Sequence, residues 1–143
     1  MVPNHFSQYW HGSLVTNGKQ AGILVVGSPG VGKSDFCYYL LESLNYYLVA
    51  DDLVRLIKFD TKYEGILCNK RYYGVIHHKQ KGFIKVVRAL RSSVVSHVVY
   101  LFQHEVEEKY LNKAQSLMLP VIVMDVKSKS WDACATQLQN ILE

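Results

Sequence analysis

Residues 27–34 have the residue types and spacing of a phosphate-binding loop. Four residues separate Gly27 from Gly32, and Lys33 and Ser34 follow directly. Glycines let successive backbone N–H groups converge on phosphate oxygens, a lysine adds positive charge, and a serine hydroxyl can ligate Mg²⁺. The sequence therefore predicts binding of a nucleoside triphosphate with Mg²⁺, and the alternative is an ordinary Gly-Pro-Gly turn before a helix. The residues predicted to bind the nucleotide are Gly27, Ser28, Pro29, Gly30, Val31, Gly32, Lys33 and Ser34.

Two adjacent carboxylates, Asp51 and Asp52, follow the apolar run at residues 46–50. Ligands of open α/β sheets gather at the carboxyl ends of strands, so acids there can reach a metal ion or an attacking hydroxyl. Successive residues of a strand point to opposite sides, so we expect different roles, one as a base and one as a metal contact. The alternative is an acidic turn in which Asp52 pairs with Arg55 or caps a backbone N–H group.

The elements that must position these residues are predicted from hydrophobic periodicity. One helix should begin at the loop and carry an apolar stripe that includes Phe36 and Leu40, and a second should span residues 131–142. With a buried strand before the loop, this gives the strand, loop and helix order that phosphate binding requires. The prediction is an α/β fold, rich in strands and with few helices. Strands are predicted at residues 13–16, 22–27, 46–50, 53–59, 64–68, 72–77, 95–103 and 120–126.

Composition indicates one domain, residues 1–143, with 49% hydrophobic residues and a net charge of +4. The three cysteines at positions 37, 68 and 134 are odd in number and far apart, which fits neither a disulfide framework nor a zinc site. A reducing cytoplasm is therefore the expected compartment. The first ten residues lack a leader pattern, and no apolar run reaches the 18 or so residues of a membrane helix. We expect a soluble protein without membrane contact.

Three segments in the same order resemble the catalytic domain of HPr kinase/phosphorylase, in a short form without the family's amino-terminal domain. They are His-Gly-Ser-Leu-Val at residues 11–15, the loop with the following aspartate at residues 27–35, and Leu-Val-Ala-Asp-Asp at residues 48–52. The resemblance implies a fold related to phosphoenolpyruvate carboxykinase and a bacterial cytoplasmic serine kinase that uses ATP and Mg²⁺. It further implies HPr or a related phosphocarrier protein as partner, a reverse phosphorylase activity, and a homo-oligomer.

The resemblance also implies a role for each matching residue. Lys33 would hold the phosphates, Ser34 the metal ion, and Asp51 would take the proton from the carrier's serine hydroxyl. Asp52 would support the metal or the base, and His11 would line the same pocket.

One segment departs from the family pattern. Where the family reads approximately Leu-Glu-Ile-Arg-Gly-Leu-Gly-Ile, residues 76–83 read Ile-His-His-Lys-Gln-Lys-Gly-Phe. The family's glutamate becomes His77 or His78, its arginine becomes Lys79, and only Gly82 stays in place. This leaves open an altered carrier specificity, loss of phosphorolysis, or a nucleotide-binding regulatory protein in which catalysis is weakened. A small-molecule kinase is a further alternative, because the loop alone does not select the acceptor.

Basic residues between positions 71 and 91 are expected to form a solvated face or a contact for an acidic protein rather than a nucleic-acid site. A transition-metal site at His77 and His78 is not expected, because neighbouring strand residues diverge. The basic residues are Arg71, Lys79, Lys81, Lys85, Arg88 and Arg91.

Overall fold

The structure is a computed structural model that describes residues 7–143, so the first six residues of the predicted domain lie outside the described residues. It contains eleven strands, three α-helices and a short 3-10 turn at Lys70–Tyr72. The helices are α1 (Lys33–Leu44), α2 (Glu108–Gln115) and α3 (Trp131–Leu142). The strands are β1 (Ser7–Trp10), β2 (Ser13–Thr16), β3 (Gly22–Gly27), β4 (Tyr47–Ala50), β5 (Val54–Phe59), β6 (Lys62–Leu67), β7 (Val75–His78), β8 (Gly82–Lys85), β9 (Ser92–Val95), β10 (His97–Phe102) and β11 (Val121–Asp125).

The central sheet has five strands in the order β11-β10-β3-β2-β4. Strand β10 is parallel to both β3 and β11, whereas β2 is antiparallel to both of its neighbours, β3 and β4. Strands β3 and β4 therefore run in the same direction, and their carboxyl ends meet at one edge of the sheet. At this edge lie the end of β3 at Gly27, the end of β4 at Ala50 and the start of β2 at Ser13.

Two apolar clusters cover the two faces of the central sheet. Alternate residues of β3 enter different clusters: Ile23 and Val25 pack with α1 and α3, and Leu24 and Val26 pack with the second sheet and α2. All six residues of β3 are buried, which explains its continuous apolar sequence. The second sheet has the antiparallel order β1-β5-β6-β9, and β7 pairs with β8 as a separate hairpin.

Helix α1 buries one stripe, which includes Phe36 and Leu40, against the central sheet. Its last residue is Leu44, and the capping residue Asn45 has a left-handed backbone (φ 58°) and donates its N–H to the carbonyl of Leu40. None of the helices in the part of the chain that the structure describes could span a membrane.

The prediction of a strand-rich α/β fold with few helices is confirmed, and the strands at 13–16 and 22–27 and the helix at 131–142 have the predicted bounds. Two predicted strands were wrong in extent. The strand expected at 72–77 starts only at Val75, because Tyr72 lies in the 3-10 turn and Gly74 adopts φ 69°. The strand expected at 95–103 is two strands separated at Ser96, whose N–H donates to the carbonyl of Gly22 (2.8 Å). Strands β1, β8 and β9 and helix α2 were not predicted.

Candidate functional site

The predicted phosphate loop connects β3 to α1 at the edge where β3 and β4 end. Gly30 and Gly32 have φ values of 81° and 110°, which residues with a side chain rarely adopt. A Cβ atom at Gly32 would also lie 3.0 Å from the ring of Trp131, whereas at Gly30 it would enter open space. The shape of the loop therefore depends on its glycines.

Lys33 lies across this loop. Its Nζ atom donates to the backbone carbonyls of Gly27 (2.9 Å) and Ser28 (3.2 Å). Burial lowers the pKa of the Lys33 ammonium, and the nearby carboxylates of Asp52 and Asp51 oppose that shift. The lysine is thus a partly buried positive charge held at the centre of the loop.

The Asp51 carboxylate is held by three donors from three elements. Its Oδ1 atom accepts hydrogen bonds from the hydroxyls of Ser34 on α1 and Ser13 on β2, both at 2.6 Å. Its Oδ2 atom accepts the backbone N–H of His77 on β7 at 2.9 Å. Ser13 is fully buried and was not predicted as a site residue, although a serine inside an apolar strand was the available signal.

Asp52 has different surroundings. Its backbone is left-handed (φ 71°), and its carbonyl accepts the N–H of Gly12 at 3.1 Å. Among residues 7–143, no hydrogen bond reaches its carboxylate, while its charge acts on Lys33. The two neighbouring acids therefore differ, since three donors contact the carboxylate of Asp51 and no hydrogen bond of the described residues reaches that of Asp52.

Two neighbouring cavities lie beside Asp52. The first, called here the loop cavity, has a volume of about 470 Å³, and the second, the aromatic cavity, has about 490 Å³. The two share Ser34, Asp52 and His77. The loop cavity is also lined by His11, Pro29, Gly30, Gly32, Lys33, Asp35 and Lys79. The aromatic cavity is also lined by Asp51, Leu53, Leu67, Cys68, Asn69, Tyr72, Val75 and Phe83.

The structure brings together the residues to which the sequence assigned catalytic or metal-binding roles, since His11, Lys33, Ser34 and Asp52 all line the loop cavity and Asp51 bonds to Ser34. Val31 differs, because its side chain is buried in the apolar cluster of α1 and α3. Its contribution to the loop can come only from the backbone.

The hairpin β7–β8 forms one wall of the site. Besides the bond from His77 to Asp51, the N–H of Lys79 donates to Asp35 Oδ1 at 3.1 Å. The ring of His77 lies 4.9 Å from that of Phe83. Nδ1 of His78 instead accepts the N–H groups of the next hairpin residues, at 3.1 and 3.2 Å. The two histidines therefore diverge as predicted, and residues 7–143 contain no group of three or more His, Cys, Asp or Glu residues that could hold a metal ion.

The basic residues between positions 71 and 91 have separate local contacts. Arg88 donates to the carbonyls of Leu41 (2.7 Å) and Tyr46 (3.3 Å), so it ties the end of α1 to the following strand. The guanidinium of Arg91 lies 5.6 Å from the ring centre of Tyr73. At least Arg88 has a structural task rather than a place on a free basic face.

Comparison with known proteins identifies the fold. No family model matches the sequence, and no curated protein matches it. Among solved structures, the chain is similar to the HPr(Ser) kinase/phosphatase from Coxiella burnetii, with a TM-score of 0.74 and 20% sequence identity. The match covers 94% of this chain and 90% of that chain. The protein therefore has an HPr kinase-like fold, in agreement with the resemblance seen in the sequence.

Proposed function

We propose that the protein is an ATP- and Mg²⁺-dependent kinase that phosphorylates a serine of HPr or of a related phosphocarrier protein. The observation that carries this proposal is the bond from Ser34, the last residue of the loop, to Asp51, with the unbonded carboxylate of Asp52 beside it. The similar structure from Coxiella burnetii, whose name includes an HPr(Ser) kinase activity, supports the same reaction class.

The loop supplies what a transferring phosphate needs. Its glycine conformations and the amino end of α1 offer backbone N–H groups, and Lys33 adds a positive charge. Stabilisation of charge on the transferred group accounts for most of catalysis in phosphoryl transfer. Lys33 can exchange its bonds to the carbonyls of Gly27 and Ser28 for bonds to phosphate oxygens.

The donor atoms beside the loop fit Mg²⁺. The hydroxyl of Ser34 and Oδ1 of Asp51 are hard oxygen atoms 2.6 Å apart. Proteins commonly bind Mg²⁺ through one or two carboxylates together with substrate phosphates, so a larger protein cage is not required. When bound, the ion would neutralise negative charge on the outer phosphates. Ser34 and Asp51 are therefore the proposed metal contacts, with Asp52 near enough to support them.

The hydrogen bonds favour Asp52 as the general base. A base must accept the proton of the attacking hydroxyl, and Asp51 already accepts three hydrogen bonds from the protein. The carboxylate of Asp52 has no such partner among the described residues and faces the loop cavity with His11. This reverses the sequence-based assignment, in which Asp51 was the base.

A direct test is incubation with [γ-³²P]ATP, Mg²⁺ and HPr, with detection of phosphoserine on the carrier. The Coxiella burnetii enzyme serves as the positive control, and an HPr variant with alanine at its acceptor serine as the negative one. Label should appear on HPr and not on the variant. If the control enzyme labels HPr and this protein labels no phosphocarrier, the proposal is wrong.

The proposal includes several finer points of the sequence analysis. We propose a relation to the phosphoenolpyruvate carboxykinase fold, a single domain over residues 1–143, a bacterial cytoplasmic location, and a homo-oligomer. Inorganic phosphate should remove the phosphoryl group from phosphorylated HPr if the reverse phosphorylase activity is present. Light scattering of the purified protein measures the oligomeric state.

A further inference from the structure

We propose that the aromatic cavity binds the nucleoside end of the nucleotide, with the base against Tyr72 and Phe83. The inference rests on the proposed function, because it takes the phosphates to lie over the loop. It adds a binding site that neither the loop motif nor the fold assigns.

The walls of the cavity suit an uncharged planar ring. Leu53, Leu67 and Val75 supply aliphatic surface, and Tyr72 and Phe83 supply aromatic rings. Phe83 is 74% exposed and Tyr72 is 48% exposed, so both leave a large apolar surface in water. Bases stack on such rings with little dependence on base identity.

The charge of the cavity argues against a phosphate there. No lysine or arginine of residues 7–143 lines it, and its two charged residues are Asp51 and Asp52. Its volume of about 490 Å³ lies within the range of roughly 300–1,000 Å³ that is typical of small-molecule sites. It therefore has room for a nucleoside but no cation for a negative group.

The position of the cavity links it to the phosphate loop. Because the two cavities share Ser34, Asp52 and His77 in their linings, they lie next to each other, so the two ends of one ligand could occupy them. A nucleoside triphosphate has one highly charged end and one uncharged planar end. The loop cavity with Lys33 matches the first, and the aromatic cavity matches the second.

The lining of the loop cavity suits the acceptor better than that of the aromatic cavity. A hydroxyl group inside the aromatic cavity would meet Asp51, whose oxygens already accept three donors. Asp52 lines both cavities, but only the loop cavity also contains His11 and Lys33. If the acceptor hydroxyl enters the loop cavity beside His11, the aromatic cavity remains available for the nucleoside.

The experiment compares the binding of ATP and of inorganic tripolyphosphate, each with Mg²⁺, by isothermal titration calorimetry. The wild-type protein should bind ATP more tightly than tripolyphosphate. Phe83→Ala and Tyr72→Ala should each weaken ATP binding about tenfold, as expected for loss of one stacking contact. Neither variant should change the affinity for tripolyphosphate, because the loop is intact.

Two control variants accompany this comparison. Tyr9→Ala removes a 59% exposed tyrosine from β1 in the second sheet and should change neither affinity. Lys33→Ala should weaken both ligands. Equal losses for ATP and tripolyphosphate in Phe83→Ala would overturn the inference, as would unchanged ATP affinity with a raised KM for the acceptor protein.

The outcomes separate this inference from the proposed function. If the variants lose ATP affinity selectively while no phosphocarrier is labelled, the nucleoside site stands and the kinase assignment fails. If HPr is phosphorylated while the wild-type protein binds ATP no better than tripolyphosphate, the kinase assignment stands and the nucleoside site fails.

Discussion

Replacing each of the adjacent carboxylates by its amide should separate the two roles proposed for them. Asp51→Asn keeps the size of the side chain but removes the charge that three donors contact. Asp52→Asn removes a charge that no described donor contacts, in a left-handed conformation (φ 71°) that asparagine adopts readily. Asp51→Asn therefore weakens hydrogen bonds that stabilise the fold, whereas Asp52→Asn does not.

The expected loss of stability follows from the bonds. A hydrogen bond to a charged group contributes about 1.5–3 kcal/mol and a neutral one about 0.5–1.5 kcal/mol, so each hydroxyl bond to Asp51 weakens by about 1 kcal/mol. If the oxygen of the new asparagine faces the two hydroxyls, its NH₂ group faces the N–H of His77, and because both groups are donors the bond is lost. A total of about 2–3 kcal/mol lowers the Tm by about 4–12 °C in a domain of this size. For Asp52→Asn we expect a change below about 2 °C.

Activity should fall in both variants, for different reasons. Loss of a general base lowers kcat about 10²–10⁴-fold, so Asp52→Asn should be well folded and nearly inactive. Asp51→Asn should lose activity together with stability. The assays are thermal unfolding by circular dichroism and HPr phosphorylation at saturating ATP. Near wild-type kcat in Asp52→Asn, or an unchanged Tm in Asp51→Asn, would refute the assignment.

Three further predictions concern other charges. Lys33→Ala should remain folded and lose ATP binding in calorimetry, because its positive charge is the main compensation for the phosphates; normal ATP affinity would contradict the role of the loop. Burial lowers the pKa of His97 below 6.5, so the folded state binds fewer protons than the unfolded state and stability should fall as the pH drops below 6.5. His97→Gln should reduce this dependence in Tm measurements between pH 7 and 5, and an identical slope would contradict it. Arg88→Ala should lower the free energy of unfolding in urea by about 2 kcal/mol, because two bonds from a charged group to backbone carbonyls are lost, and no loss would contradict its structural role.

The sequence located the part of the candidate site that is formed by neighbouring residues in the chain. A phosphate loop requires a buried strand before it and a helix after it, and those elements are continuous in the chain around residues 27–34. Asp51 and Asp52 were found for the same reason, since they directly follow a strand. Their separate roles could not be derived, because they depend on the hydroxyl of Ser13 and on the N–H of His77, 38 and 26 residues from Asp51.

The elements missed in the sequence have weak local signals. Helix α2 spans only eight residues, most of them polar, and buries only Ala114, so its low apolar content hid it in the sequence. Strand β9 was missed, since only its last residue, Val95, lies in a predicted strand, and the break at Ser96 is accompanied by a bond to distant Gly22 rather than marked by glycine or proline. The aromatic cavity was missed for a related reason, since Tyr72 and Phe83 come from separate segments that only the fold brings together.

The left-handed backbone at Asp52 separates what the fold needs at this position from what the proposed reaction needs. At φ 71° most residues carry a strain of about 1–2 kcal/mol, whereas glycine avoids it and asparagine and aspartate bear it more easily, so the fold alone does not require aspartate at this position. The proposed reaction requires a carboxylate there. Selection of variants for thermal resistance alone should therefore accept Asp52→Gly or Asp52→Asn and yield folded proteins that retain the nucleotide and transfer nothing. The residue at position 52 would thus distinguish variants selected for catalysis from variants selected only for stability and nucleotide binding.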